Sequence, residues 1–205
     1  MQAITIGTGK WAKLAQYSAA RMAEMTGLDV MVLGDKEVGP LNLSHPSWAK
    51  CWLEQFNPTD KDLFIADADV WCMKEWNPVT ALADYPLVVV KDESSDQVRA
   101  ECRLYGLDPE KYFNTGLMLV HAFSALYGAQ RYHPRFGRWA EQTAINKAVQ
   151  DWKIEPTYLP HAYNRLLWPG KDDYGTDALK ALGAVNLHFA SMHDPDLILS
   201  YMKKL

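Results

Sequence analysis

Apolar and polar positions along this chain follow two periods, and the switches between them mark out its elements. The first apolar run, Ala3-Ile4-Thr5-Ile6, has the length of a buried strand and is closed by Gly7-Thr8-Gly9. Trp11, Leu14, Ala15, Ser18, Ala19, Met22 and Ala23 then recur at helical spacing, and Gly27 stands where a helix stop belongs. Val30-Met31-Val32-Leu33 is a second apolar run, ended by Gly34-Asp35. Strand, helix and strand in succession predict a parallel pair with a right-handed crossover. The polar stretch from Gly34 to His45 reads as a loop. Pro46 suits a first helical turn, with Trp48, Cys51, Trp52 and Phe56 as its buried stripe.

Leu63-Phe64-Ile65-Ala66 predicts a third strand, Leu87-Val88-Val89-Val90 a fourth and Gly116-Leu117-Met118-Leu119-Val120 a fifth. A short helix is expected from Asn77-Pro78, and another from Ser95 to about Leu104. The segment from Gly128 to Gly137, rich in Arg, His, Pro and Tyr, reads as a loop. A helix from Trp139 to about Val149, a strand near Ile154 to Leu159, a last strand from Ala184 to Phe189 and a terminal helix complete the chain. Strands alternate with helices, with no repeat or linker between them. The expectation is one α/β domain over residues 1–205, a Rossmann-like, mixed but mostly parallel sheet flanked by helices.

Composition narrows the class. With 21 basic and 25 acidic residues the net charge is −4, which argues against broad binding to nucleic-acid phosphates. Eight Trp and ten Tyr supply walls on which a flat ligand can stack. The cysteines, Cys51, Cys72 and Cys102, are odd in number and without paired spacing, so reduced thiols and a cytoplasmic protein are expected. The N-terminal run lacks a basic leader, and no apolar stretch nears the ~20 residues of a transmembrane segment.

Five patches carry candidate chemistry. Asp67-Ala68-Asp69 follows the third strand directly. Two carboxylates one residue apart at a strand's C-terminal end can hold a hard divalent cation through oxygen; the plainer reading is a pair of solvated loop acids. Asn114-Thr115-Gly116 puts short polar side chains and a glycine at a strand mouth, or is merely a turn leading into the strand. Glu141-Gln142 projects a carboxylate and an amide from the start of a helix, a place that favours Glu in any case. His188 could complete a metal site or be a hydrogen-bonded histidine at a strand end. Leu159-Pro160-His161-Ala162-Tyr163-Asn164 is a polar loop after a strand.

The order of these patches carries more than any one of them. Lys50, Asp67-Ala68-Asp69, Phe113-Asn114-Thr115-Gly116, Glu141-Gln142, Leu159-Pro160 with Tyr163-Asn164, and His188-Phe189 resemble the succession of motifs in glycosyltransferase family eight, the glycogenin- and galactosyltransferase-like enzymes of the GT-A fold. The resemblance runs from the first strand to His188. It implies a metal-dependent transfer, with retention, from a nucleotide-diphosphate sugar, a UDP-sugar above others, to an acceptor hydroxyl on a glycan. Asp67, Asp69 and His188 would hold manganese or magnesium. Thr8, Trp11, Lys50, Ala68, Asn114, Thr115 and Gly116 would contact the donor, Trp11 by stacking on its base unless it is a core residue of its helix. Glu141 and Gln142 would lie at the reacting carbon.

The chain departs from the family in three places. Glu141 stands for an Asp. The run after His188, Phe189-Ala190-Ser191-Met192-His193-Asp194, lacks the lysine that grips the diphosphate, for which Lys50, Lys10 or an arginine from Arg131 to Arg138 could substitute. No long acceptor-binding or membrane-docking tail follows. Two other readings stand beside this one: a haloacid-dehalogenase-like phosphatase with Asp67 as nucleophile, and a nucleotide-sugar-binding module without catalysis.

Overall fold

The chain begins by building the middle of a sheet. In the computed structural model, which describes residues 1–56, 62–82, 85–93, 95–121, 124–133, 140–168 and 174–205, strand β1 (Gln2–Ile6) leads through a turn into helix α1 (Ala12–Thr26) and back to β2 (Val30–Leu33). Gly27 stops α1 in the left-handed conformation, at φ 67°, which a glycine adopts without strain. A short helix α2 (Asp35–Val38) and a 3-10 turn (Gly39–Leu41) follow, in the stretch expected to be loop. A 3-10 segment from Pro46 to Gln55, kinked at Trp52, buries Trp48, Ala49, Lys50, Cys51 and Leu53. Then come β3 (Leu63–Asp67), β4 (Val70–Cys72), α3 (Pro78–Leu82), β5 (Leu87–Lys91) and α4 (Asp96–Tyr105), the last capped by Ser95. The longest strand of the sheet, β6 (Phe113–Val120), is buried along its whole length. Helices α5 (Ser124–Gln130) and α6 (Ala140–Asp151), strands β7 (Thr157–Leu159) and β8 (Arg165–Leu166), helix α7 (Thr176–Ala181), strand β9 (Asn186–His188) and helix α8 (Pro195–Met202) complete the order.

Six strands form the main sheet in the order β2-β1-β3-β6-β5-β7. The pairs β1–β2, β1–β3 and β5–β7 are parallel, while β6 is antiparallel to both β3 and β5. Five strands therefore point one way and one against them, the mixed, mostly parallel sheet the sequence predicts. Strand alternation sends Ile4, Leu63 and Ile65 into one apolar cluster and Ala3, Phe64 and Ala66 into another. The sheet is thus covered on both faces. A second sheet, β4-β9-β8, packs with α1 and α8 around Leu14, Trp71, Leu187, Phe189, Ile198 and Met202.

Three expectations need correction. The segment from Gly128 was expected to be loop, yet α5 includes Gly128, and residues 134–137 lie outside the described part. A methyl group at Gly128 would come 2.8 Å from the Trp152 ring, so glycine here buys close helix packing rather than a turn. The strand near Ile154 begins only at Thr157, and the last strand shortens to Asn186–His188. Strands β4 and β8 have three and two residues, too few for a period to show, and went unpredicted along with α7. Trp139, expected to open α6, also lies outside the described residues. All three cysteines are free and buried.

Candidate active site

The two sheets meet at the acidic turn. Asp67 ends β3 of the large sheet, Val70 begins β4 of the small one, and Ala68-Asp69 make the turn between them. Antiparallel pairing sets Val70 opposite His188 on β9, and the Phe189 amide donates to the Asp69 carbonyl over 3.0 Å. A histidine over a hundred residues away in sequence is thereby held against the two acids. His188 Nε2 lies 3.3 Å from Asp69 Oδ1 and 4.0 Å from Asp67 Oδ2, and one ligand atom from each of the three residues falls within 4.8 Å of the others. Burial alone would lower the histidine's pKa, but the Asp69 and Asp67 carboxylates outweigh it and raise it above its ordinary value. Gly116 makes room for the ring: a methyl group there would stand 2.2 Å from His188 Cε1. The set of two carboxylates and one imidazole, with Nε2 turned toward the acids, fits a divalent cation such as manganese or magnesium.

The opposite wall is built on an interruption in β6. Its pairing with β5 jumps from Val89↔Met118 to Val90↔Asn114, and its pairing with β3 stops at Leu117. Thr115 and Gly116 thus form a bulge with strand partners on neither side, and side chains take up their backbone groups. Lys50 Nζ donates to the Thr115 carbonyl at 3.1 Å. Gln142 Oε1 accepts from the Thr115 amide at 3.2 Å, and Asn114 Oδ1 from the Gly116 amide at 2.8 Å. One residue pair further, the Asn146 side chain both accepts from the Phe113 amide and donates to its carbonyl, each at 2.9 Å. The Asn-Thr-Gly patch is therefore neither a strand mouth nor a turn but a bulge inside the strand.

Lys50 ties this wall to the acidic turn. Its buried ammonium lies 2.7 Å from Asp67 Oδ1 and 2.9 Å from Glu141 Oε1, as well as on the Thr115 carbonyl, so its three hydrogens face three protein oxygens. Burial works to lower its pKa; the Asp67 and Glu141 carboxylates reverse this and raise it. Thr115 Oγ1 donates to the same Glu141 oxygen at 2.7 Å. Behind Glu141, the Gln142 amide reaches Asp92 Oδ2 at 2.7 Å and Tyr112 OH at 3.4 Å. Burial raises the Asp92 pKa against the hydrogen bond from Gln142. Asn164 Nδ2 donates to Asn114 Oδ1 at 2.9 Å, and its Oδ1 is buried without a partner. Asn164 also lines a cleft of about 220 Å³ with Glu93, His161, Arg165 and Leu166. Asp92, Thr143 and Asn146 were not singled out in the sequence. Polar residues among other polar residues carry no signal in the sequence; burial sets them apart.

The first turn of the chain follows β1, whose last residue, Ile6, pairs with Asp67. Gly7 is buried against α1, where a methyl group would lie 2.2 Å from Ala15 Cβ. The Gly9 amide donates to both carboxylate oxygens of Asp35. Trp11 is half-buried on the small sheet's cluster with Leu14 and Phe189, and Thr8 is half-buried beside it in sequence. Lys10 is exposed, lies 6.0 Å from the Trp11 ring centre and donates to the His193 carbonyl at 2.9 Å. It thus reaches the segment where the resemblance lacks its lysine. Arg131 is held by Asp151 and Tyr132, and residues 134–138 lie outside the described part.

The mixed, mostly parallel sheet flanked by helices has the GT-A architecture. Solved glycosyltransferases share it. The bifunctional glycosyltransferase WbbM aligns at a TM-score of 0.67 with 14% identity over 98% of this chain, which spans 49% of that protein's chain. The galactosyltransferase LgtC, solved with donor and acceptor sugar analogues, aligns at 0.64 with 13% identity over 100% of this chain and 96% of its own. A glycosyltransferase involved in the glycosylation of the major capsid of PBCV-1 aligns at 0.63 with 13% identity over 100% of both chains. No protein-family model matches the chain, and no curated protein matches it in sequence.

Proposed function

We propose that this protein transfers a sugar from a nucleoside-diphosphate sugar, with UDP-sugars foremost, to a hydroxyl of an acceptor glycan. The observation that carries this reading is the cluster of Asp67, Asp69 and His188 at the C-terminal edge of a GT-A sheet, with the Lys50–Glu141 pair beside it. Asp67, Asp69 and His188 would hold manganese or magnesium, which when bound neutralises charge developing on the departing diphosphate. Lys10, with hydrogens to spare beyond its bond to the His193 carbonyl, adds a second positive group for that diphosphate. Thr8, Trp11 and Ala68 line the donor's nucleotide side. Asn114, Thr115 and Gly116 line its sugar, and Lys50 serves donor binding by holding Asp67 and Glu141 in register.

In the transfer, the bond between the anomeric carbon and the diphosphate oxygen breaks, and its electron pair leaves with the diphosphate. The acceptor oxygen bonds to the anomeric carbon from the same face, and its proton passes to the departing diphosphate, so configuration is retained. Among the described residues, hydrogen bonds reach Glu141 only at Oε1, which leaves Oε2 to support positive charge on the sugar. The cleft lined by Glu93, His161, Asn164 and Arg165 opens beside Asn114 and suits the acceptor.

The test is a thermal-shift screen of nucleotide sugars with and without manganese, followed by UDP release from the binders. Donors that raise the unfolding midpoint only with metal, and then turn over, support the reading. Metal-independent binding would overturn the metal site, and binding without UDP release toward any acceptor would leave a binding module.

A further inference from the structure

The geometry points to Gln142 as a positioning residue: its amide clamps the β6 bulge to Asp92 and is not offered to the reacting sugar. This inference rests on the proposed transfer reaction and concerns which group of the Glu141-Gln142 pair faces it. A glutamine amide has two acceptor positions on oxygen and two hydrogens on nitrogen. All four are engaged within the protein. Oε1 accepts from Asn114 Nδ2 and from the Thr115 amide, each at 3.2 Å. Nε2 donates to Asp92 Oδ2 at 2.7 Å and to Tyr112 OH at 3.4 Å.

The orientation is fixed by partners that can play only one role. The Thr115 amide can only donate, so the atom facing it is the oxygen. On the other side, Nε2 can only donate, so Tyr112 OH must accept and pass its own hydrogen to Thr143 Oγ1 at 3.0 Å. Thr143 Oγ1 in turn donates to Glu101 Oε1 at 2.9 Å, and a carboxylate only accepts. A one-way chain therefore runs from Gln142 through Tyr112 and Thr143 to Glu101 on α4. Turning the amide over would oppose hydrogens to hydrogens at Thr115 and oxygen to oxygen at Asp92. Gln142 is 9% exposed, Tyr112 and Thr143 are fully buried, and Glu101 is 8% exposed. The device holds three things at once: the bulge that receives Lys50, the Asp92 carboxylate, and the first turn of α6 that carries Glu141.

The test is Gln142→Glu, read against pH, because a clamp and a reacting group give opposite slopes. In a clamp, one new carboxylate oxygen faces Asp92, and the pair can coexist only while it shares a proton. The other charges around it, Glu141 on α6, Glu101 on α4, Lys50 on the 3-10 segment and His188 on β9, are common to variant and wild type. Such a carboxyl has its pKa raised in the folded state, so stability present below the ordinary carboxylate range is lost as pH rises. Two readouts are taken between pH 5.5 and 8: the unfolding midpoint, and UDP release from UDP-glucose and UDP-galactose with manganese chloride. The expected result is that both fall relative to wild type as pH rises, UDP release by roughly tenfold or more. Tyr112→Phe, which removes one link without touching the sugar's surroundings, is expected to lower kcat with KM little changed. A Gln142→Glu protein that gains on wild type as pH rises, as a better nucleophile would, overturns the proposal. So does a midpoint difference that is independent of pH. A wild type that releases no UDP breaks the transfer reading instead, and the midpoint profile, which needs no turnover, then decides the clamp.

Discussion

The two walls of the site treat hydrogen-bonding capacity in opposite ways. On the wall formed by the acidic turn and β9, Asp69 and His188 meet chiefly each other, and His188 Nδ1 is buried without a partner. On the wall formed by β6 and α6, Lys50 and Gln142 have every hydrogen and acceptor position engaged by protein. The difference follows from the work each wall does. Groups meant for a cation must leave coordination positions open, and like charges gathered for it cost stability when it is absent. Groups that hold a bulged strand in place must leave nothing open, because a half-satisfied buried network is worse than an apolar one. Binding capacity and rigidity are thus put on different elements, joined by the ion pair of Asp67 with Lys50 and by the packing of Gly116 against His188.

Substitutions can break this division from either side. The largest effect is expected on the open wall. Asp69→Asn should lower metal-dependent UDP release on the order of a thousandfold in a protein that still folds. Full metal-dependent activity in a folded Asp69→Asn protein would remove the open wall from the account. On the closed wall, Lys50→Met leaves the buried Glu141 carboxylate without its cation and should cost about 3–5 kcal/mol in denaturant unfolding, whether or not metal is present. A variant as stable as wild type would show the wall to be less tightly bound than its distances imply.

The third expectation joins the two walls through pH. In metal-free protein His188 has a raised pKa, so the stability it gives is fully present below the unfolded value near 6.5 and is lost as pH rises through the folded value. Cation binding needs the neutral ring, so the metal-induced rise in midpoint should grow over the same range. His188→Ala should flatten both trends and raise the manganese needed for half-maximal stabilisation at least tenfold; an unchanged midpoint of the manganese titration would reduce the protein ligands to Asp67 and Asp69. The smallest effect is expected at Trp11. Because it is half-buried on the small sheet's cluster, Trp11→Ala should weaken UDP binding by about 1 kcal/mol, the low end for a stacked base, and lower stability as well. Calorimetry separates the two, since a core residue alone would leave UDP affinity untouched.

The sequence by itself determined the elements that are long enough to carry a period and the chemistry that sits at their ends. The run Leu63 to Ala66 with two acids directly after it places those acids at a sheet edge, because a buried strand can end nowhere else. Gly27 and Ser95 mark helix ends through local backbone and capping chemistry, which needs no distant partner. The order of the patches was legible for the same reason, each being a few contiguous residues. Only the tertiary structure decided what those patches are to one another. That His188 reaches the acids depends on the three-residue pairing of β4 with β9, too short to leave a pattern. That Asn114-Thr115-Gly116 is a bulge depends on a register jump against β5, which is a property of two strands and not of either. That Lys50 and Gln142 are saturated depends on groups drawn from β3, β6, α6 and the residues that follow β5 and precede β6. A hydrogen bond has a length and a direction in space, and separation along the chain carries neither.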